Sequence, residues 1–426
     1  MDRRTAHAAL VAASAILAAT ALAAATFLAP AAGAGEPEDG WTRYRGPNGQ
    51  GVGKAEGLPV TWTDGDYLWK VELKGGGHSS PVVWGDRVFI TSADQKTATR
   101  HIECFKASDG SHLWTKTYAG TPCKQNSLNA YAAPTPALDA RRLYLTWATP
   151  QQFIVVAVTH DGKEAWRRDL GPWQSQHGYC GSPVVFEDMV ILANDQLGPS
   201  STVALDAATG AVRWQTKRES GKAAYSVPCI FRPPSGPPQL ILTSTANGMT
   251  GLDPATGRVL WEVRDAMPER VVSCPVIADG LVFGTCGTGG KGRHVIAVRV
   301  PADGQAKAEV AWTVTDDAPY VPAGVVKDGL AFLWTENGAV SCIRTATGER
   351  VWSERLGGKF YASPILVGDR LYMVSTKGEV IILRAGEAFE RLGQADLGEK
   401  SQATPAVAGG RMFLRTWSHL MALGAK

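Results

Sequence analysis

Several kinds of chemistry are missing from this chain. It has no Cys-x-x-Cys and no Cys-x-x-Cys-His, so neither a dithiol redox centre nor a c-type haem attachment is encoded. No two cysteines are adjacent. There is no Gly-x-Ser-x-Gly nucleophile elbow, no His-Glu-x-x-His helix, no phosphate loop and no repeated acidic calcium loop. Charge is never massed: 43 Lys and Arg stand against 40 Asp and Glu, a net charge of +3 without a basic block, which argues against a nucleic acid partner. Helical periodicity is sparse beyond residue 34.

The long apolar run lies at the start. Asp2-Arg3-Arg4 precede an alanine-rich stretch from Ala8 to Leu28, and Ala32-Gly33-Ala34 offers a small-x-small site. Residues 1–34 read as a secretory signal cleaved after Ala34, which makes the protein periplasmic or secreted. Retained, the run is long enough to span a bilayer, and membrane association is expected in that case alone. Export permits disulfides. The seven cysteines stand at 104, 123, 180, 229, 274, 286 and 342. Cys274 and Cys286 flank a hairpin around Asp279-Gly280 and are the leading candidate pair; the odd count leaves at least one thiol unpaired.

What the chain has is a repeat. Ala204–Trp214, ALDAATGAVRW, reads as a strand end, a tight turn and a new strand. Asp206 can bond back to turn amides, Gly210 supplies positive φ, and Val212 and Trp214 alternate with Arg213. The pattern returns as LDPATGRVLW, IRTATGERVW, FKASDGSHLW and VTHDGKEAW, each with a tryptophan four residues after the turn glycine. Each unit opens on a proline ahead of an apolar strand, at Pro81, Pro136, Pro183, Pro228, Pro275, Pro322, Pro364 and Pro405. One unit is too small to form its own core, so the units must stack. The eighth lacks a Trp strand, and one is left over near the start, YLWKVEL (Tyr67–Leu73). The two incomplete pieces complement each other. The expected fold is therefore an all-β, eight-bladed propeller over 67–426, closed by pairing the N-terminal strand with the last blade. Residues 35–66, with WTRYRGPNGQGVG at their heart, form an ordered arm, because Trp41, Tyr44 and Trp62 want burial. Trp69, Trp114, Trp166, Trp214, Trp261, Trp312 and Trp352 are expected to be structural, docking blade on blade.

The D-x-x-T-G-x-x-x-W pattern resembles the tryptophan-docking motif of PQQ-like (quinoprotein dehydrogenase-like) β-propellers of the secreted bacterial type, over nearly everything after residue 60. The resemblance implies eight blades. It is specific for fold and poor for activity. At one pole of that family, alcohol and glucose dehydrogenases bind pyrroloquinoline quinone (PQQ) and a divalent cation. At the other, the BamB-type outer-membrane assembly scaffold has eight blades and no chemistry. This chain has neither the adjacent-cysteine bridge of many alcohol-oxidising members nor an assignable Glu–Asn–Asp calcium set. It also lacks the scaffold's lipid-anchor cysteine. PQQ with Ca²⁺ is thus a possible cofactor but not the favoured one.

The residues ahead of each blade's first strand carry the functional expectation. In a propeller the innermost strands border the central channel, so their leading residues ring one mouth. His78, Asn129, Tyr131, His177, Tyr179, Tyr225, Tyr320, Tyr361 and Gln402 stand there. Such a ring suits a planar or sugar-like ligand; its bland alternative is strand capping around water. Asn194-Asp195-Gln196 is either a turn or part of the mouth, and Asp316-Asp317 either a solvated loop or a cation site. HGYC at His177–Cys180 has a weak metal-ligand flavour. No catalytic or metal residue is assigned. The preferred reading is a monomeric, non-catalytic binding or scaffold protein for a partner protein or small ligand. A PQQ-dependent oxidoreductase and a carbohydrate-binding module are the alternatives.

Overall fold

A blade starts where a proline, which has no N–H to donate, releases the chain from a polar loop into its inner strand. In the third blade the strands are Val184–Phe186, Met189–Asn194, Ser200–Asp206 and Val212–Arg218, paired antiparallel in that order. The last hairpin carries a bulge between Ala204 and Leu205, where the turn begins. Asp206 Oδ1 accepts from the amides of Ala208 (3.1 Å) and Thr209 (2.9 Å). The chain then reverses through Gly210 at φ 73°.

The computed structural model describes residues 39–289, 291–301 and 307–425. Residues 1–34, read as a signal, lie outside them. Among the described residues the sheets are eight, each built on four consecutive antiparallel strands apart from the blade that closes the ring. There, Trp69–Glu72 pairs with His419–Gly424, Trp69 opposite Ala422 and Glu72 opposite His419. The ring is closed as the two incomplete units require. Among the described residues no helix is long and apolar enough to cross a membrane.

Blades dock through the repeated tryptophan. The Trp166 indole donates to Ala207 O in the next blade's turn at 3.0 Å, and a Cβ on Gly210 would lie 2.6 Å from that ring. The turn glycine is therefore needed twice, for its φ and for the indole resting on it. Trp69, Trp114, Trp214, Trp312 and Trp352 make the same bond to Ala107, His160, Pro254, Thr345 and Gly386 at 2.9–3.1 Å. Trp261 differs. It donates to Gln239 Oε1 at 2.6 Å, and Gln239 Nε2 donates on to Pro301 O at 3.0 Å. An amide side chain relays the contact here.

The seven cysteines, all among the described residues, are free thiols. Cys274 and Cys286 do not pair. The ladder starts at Val276, opposite Phe283, and Thr285, the neighbour of Cys286, is met by the Ser273 hydroxyl. The two belong to different apolar clusters.

Candidate functional site

The small hydroxyl residue ahead of the proline has a stitching role in several blades. Ser80 N donates to Thr135 Oγ1, Thr135 N to Ser182 Oγ and Ser363 N to Thr404 Oγ1, each at 2.9–3.0 Å. A hydroxyl of one blade thus satisfies a backbone amide of the preceding one around the channel. In the fourth, fifth and sixth blades the equivalent residues are Val227, Cys274 and Val321. In the sixth blade the amide of Ala323 donates to the next blade's Ser363 hydroxyl at 3.0 Å.

The arm crosses the channel. Trp41 bridges Val83, and Thr42 O accepts from Leu138 N. Asn48 exchanges two bonds with Ile230, at 2.8 and 2.7 Å, and Gln50 Oε1 accepts from Ile277 N at 2.8 Å. Arg45, fully buried, donates to Ala323 O and Gly324 O. Val52–Gly53 adds a parallel strand to the seventh blade, with Val52 opposite Leu366. Gly53 lies so close to Val407 that a Cβ would sit 2.7 Å from it. The arm therefore touches inner strands of seven blades, and Tyr44 from it lines the cavity above.

That cavity has a volume of about 550 Å³. Seven of the nine expected mouth residues line it: His78, Asn129, His177, Tyr225, Tyr320, Tyr361 and Gln402. Tyr131 and Tyr179 do not. Tyr131 donates to Cys123 O at 2.7 Å and borders a separate void of about 20 Å³. Tyr179 packs against Phe153 and Trp173, with ring centroids 4.9 and 5.1 Å away. Offset from the proline separates the tyrosines, while Asn129 and His177, seven and six residues ahead of it, reach the cavity from further out in the loop. His78, Tyr225, Tyr320, Tyr361 and Gln402 stand two or three residues ahead of it, whereas Tyr131 and Tyr179 stand five and four ahead and turn into the blade packing.

The charged members of the wall carry no motif. Arg270, Arg293, Glu336 and Lys359 all line the cavity. Arg270 and Lys359 lie in the same pre-strand segments as the expected ring, so alignment of those segments held a signal for them. Arg293 stands near the start of its blade's third strand (Lys291–Arg299) and Glu336 in the loop joining the second and third strands of the next blade, positions that sequence spacing does not place at the mouth.

Arg270 Nη1 lies 2.6 Å from His177 Nε2, and its Nη2 donates to Gln176 Oε1 at 3.2 Å. A guanidinium is a donor only, so the imidazole accepts and is neutral. Burial, with Arg270 beside it, holds the His177 pKa below its ordinary value. Burial pulls His78 down to about 3, with Arg415 and Lys400 adding to the effect. Burial pushes the Cys180 thiol in the wall up to about 12, so it is not a thiolate ligand at neutral pH. Glu336, 6% exposed, accepts from the amides of Tyr320 and Val321 and pairs with Arg293 at 3.1 Å.

The other acidic candidates are elsewhere. Asp195 forms a buried ion pair with Arg218 at 2.7 Å. Gln196 bonds Asn194, Pro172 O and Pro199 O. Asp317 is held by Ser353 and Arg355. Among the described residues no three His, Cys, Asp or Glu side chains gather to share a metal ion.

A quinone–calcium pair would need several oxygen ligands with carboxylates among them, plus a carboxylate base. The cavity wall offers one carboxylate, Glu336, already spent on two amides and an arginine. The donor set does not fit that pair.

Comparison with known proteins agrees with the architecture. The chain is 25% identical over 375 residues to lupanine 17-hydroxylase [cytochrome c] of a Pseudomonas species, covering 70% of this chain and 52% of the hydroxylase, so the chain spans about half that enzyme's length. It is 24% identical over 292 residues to outer membrane protein assembly factor BamB of Yersinia pestis, covering 63% of this chain and 68% of that protein. Among solved structures, BamB from Moraxella catarrhalis superposes with a TM-score of 0.61 at 14% identity, covering 84% of this chain and 97% of its own. Quinohemoprotein alcohol dehydrogenase from Comamonas testosteroni gives 0.63 at 12%, covering 91% and 81%. The family model described as outer membrane protein assembly factor BamB matches residues 51–145, 98–353 and 301–419. With its eight four-stranded blades, its repeated tryptophans bonded to the following blade's turn and its closing N-terminal strand, the chain belongs to this family of PQQ-like β-propellers.

Proposed function

We propose that this protein is a non-catalytic binding propeller of the periplasm or cell exterior, which receives a small ligand or an element of a partner protein in its mouth. The supporting observation is the plugged channel. The arm turns an open pore into a cavity of about 550 Å³ walled by tyrosines, imidazoles, amides and cations. Such a concave site holds a ligand by stacking and directional bonds. Its one wall carboxylate is already committed, which favours binding over proton abstraction from a substrate. The assembly-factor family supports a protein partner, and the alanine-rich N-terminal segment supports export. A carbohydrate ligand would use the same aromatic wall.

The test is a thermal-shift screen of sugars, aromatic acids and short peptides, with dye-linked turnover on alcohols and sugars after addition of PQQ and Ca²⁺. Binding without turnover is expected, and the double variant Tyr320→Ala, Tyr361→Ala should lose the hits while keeping its melting temperature. Robust oxidation would establish the oxidoreductase reading instead. Hits that survive the double variant but respond to changes at an outer blade edge, such as Val259, would move the site off the mouth.

A further inference from the structure

The chain as a whole is almost neutral, but its mouth is not. Arg270, Arg293 and Lys359 line the cavity against the single carboxylate of Glu336. Both wall histidines are held neutral, since burial and nearby cations depress their pKa values. Two positive charges are therefore uncompensated within one concave wall, where low-dielectric surroundings strengthen their field.

Arg270 is the least compensated of them. Among the described residues its partners are neutral, the His177 imidazole and the Gln176 amide, and its Nε has no partner while shielded from solvent. A guanidinium in a partly buried wall is ordinarily matched by a carboxylate. Beside it is a second unfilled position. Tyr225 is 7% exposed and lines the cavity, and its hydroxyl has no hydrogen-bond partner among the described residues. The Tyr320 phenol is close by: burial raises its pKa, and Arg270 is the largest influence opposing that rise. A cation and two phenols from successive blades line the same cavity, and each can donate to an acceptor there.

We propose, building on the mouth-binding reading, that the ligand is a ring-bearing carboxylate whose carboxyl group is held by Arg270 with the Tyr225 and Tyr320 hydroxyls. Tyr44 and Tyr361 supply aromatic surface for its ring. The cavity volume lies within the range for ligands of one to a few rings. The shared chemistry comes from two sources, aromatic acids and uronic acids.

Matched pairs distinguish them: benzoate against benzamide, and glucuronate against glucose, titrated calorimetrically into the whole protein. The carboxylate of at least one pair should bind roughly tenfold tighter than its neutral partner, the scale of a charge-assisted hydrogen bond. Arg270→Gln should erase that preference. Tyr225→Phe, which removes only the hydroxyl, should weaken the carboxylate several-fold with unchanged melting, so a poorly folding Arg270→Gln would not leave the matter open. Equal affinity within both pairs, preference persisting in both variants, or no carboxylate binding at millimolar concentration overturns the proposal. Neutral partners that bind as tightly as the acids, and lose binding in the Tyr320/Tyr361 double variant, would overturn the carboxylate assignment while leaving the mouth as the site.

Discussion

Replacing Arg45 with methionine keeps the stem and removes the fork that fastens the arm. Arg45 donates four hydrogen bonds: to Gly49 O (3.0 Å) and Gln50 O (3.1 Å) within the arm, and to Ala323 O (3.2 Å) and Gly324 O in the sixth blade. The residue is fully buried, and burial depresses the guanidinium pKa without neutralising it. Each bond from a charged donor contributes roughly 1.5–3 kcal/mol. Against this, removing the cation recovers several kcal/mol of desolvation. The orphaned carbonyls near the arm can be rehydrated if the arm lifts, so we expect a net loss of about 2–4 kcal/mol. The loss should be local first. Amide hydrogen exchange should accelerate across residues 41–53 before any blade strand, because the arm's other anchors are only one or two bonds to each of several blades. Urea unfolding gives the magnitude, and exchange read by mass spectrometry gives the location. A variant within 0.5 kcal/mol of the parent, as expected for an ordinary surface change, with unchanged exchange at 41–53, would refute the claim that Arg45 rivets the plug.

Three further outcomes follow from the packing. Gln239→Leu keeps the volume but orphans both the Trp261 indole and Pro301 O, and denaturation should show a loss of about 2–3 kcal/mol; a neutral change would mean the relay is dispensable. Trp261→Ala should cost about 3–5 kcal/mol. Trp214→Ala should cost somewhat less, since that ring is only half-buried; a stable Trp261→Ala protein with lost ligand binding would make the tryptophan a binding residue. His78 has a folded pKa of about 3, below its ordinary value of 6.5, so its contribution is present at neutral pH and lost as pH falls. Linkage gives a loss of roughly 2 kcal/mol between pH 7 and pH 5 from this group. His78→Gln should flatten that part of the acid-stability curve, and superimposable curves would contradict the buried neutral imidazole facing Arg415, Lys400 and Trp417.

The blade, its turn and its docking residue were legible in the sequence because each is a short-range device. A turn aspartate binds amides two and three residues away, a glycine sets one φ, and alternation sets one face. Closure was legible for a different reason: an unpaired strand edge at each end of the repeat is costly, and the two incomplete units, Tyr67–Leu73 and the stretch after Pro405, complete each other. The mouth's position came from the same logic, since the segment ahead of every inner strand must reach one rim. Side-chain direction at that rim did not. Tyr131 and Tyr179 look like Tyr225 in sequence, yet one or two extra residues before the proline turn them into the blade packing. The fate of the arm was likewise a tertiary decision. Trp41 and Tyr44 announced burial, but only eightfold closure creates the channel that buries them, and only there do the inner-strand backbones at Ile230, Ile277 and Ala323 meet Asn48, Gln50 and Arg45. The charge of the site was decided the same way. Arg270, Arg293 and Glu336 are dispersed among balanced charges along the chain, and they become one field because the ring brings neighbouring blades' segments to a single low-dielectric wall.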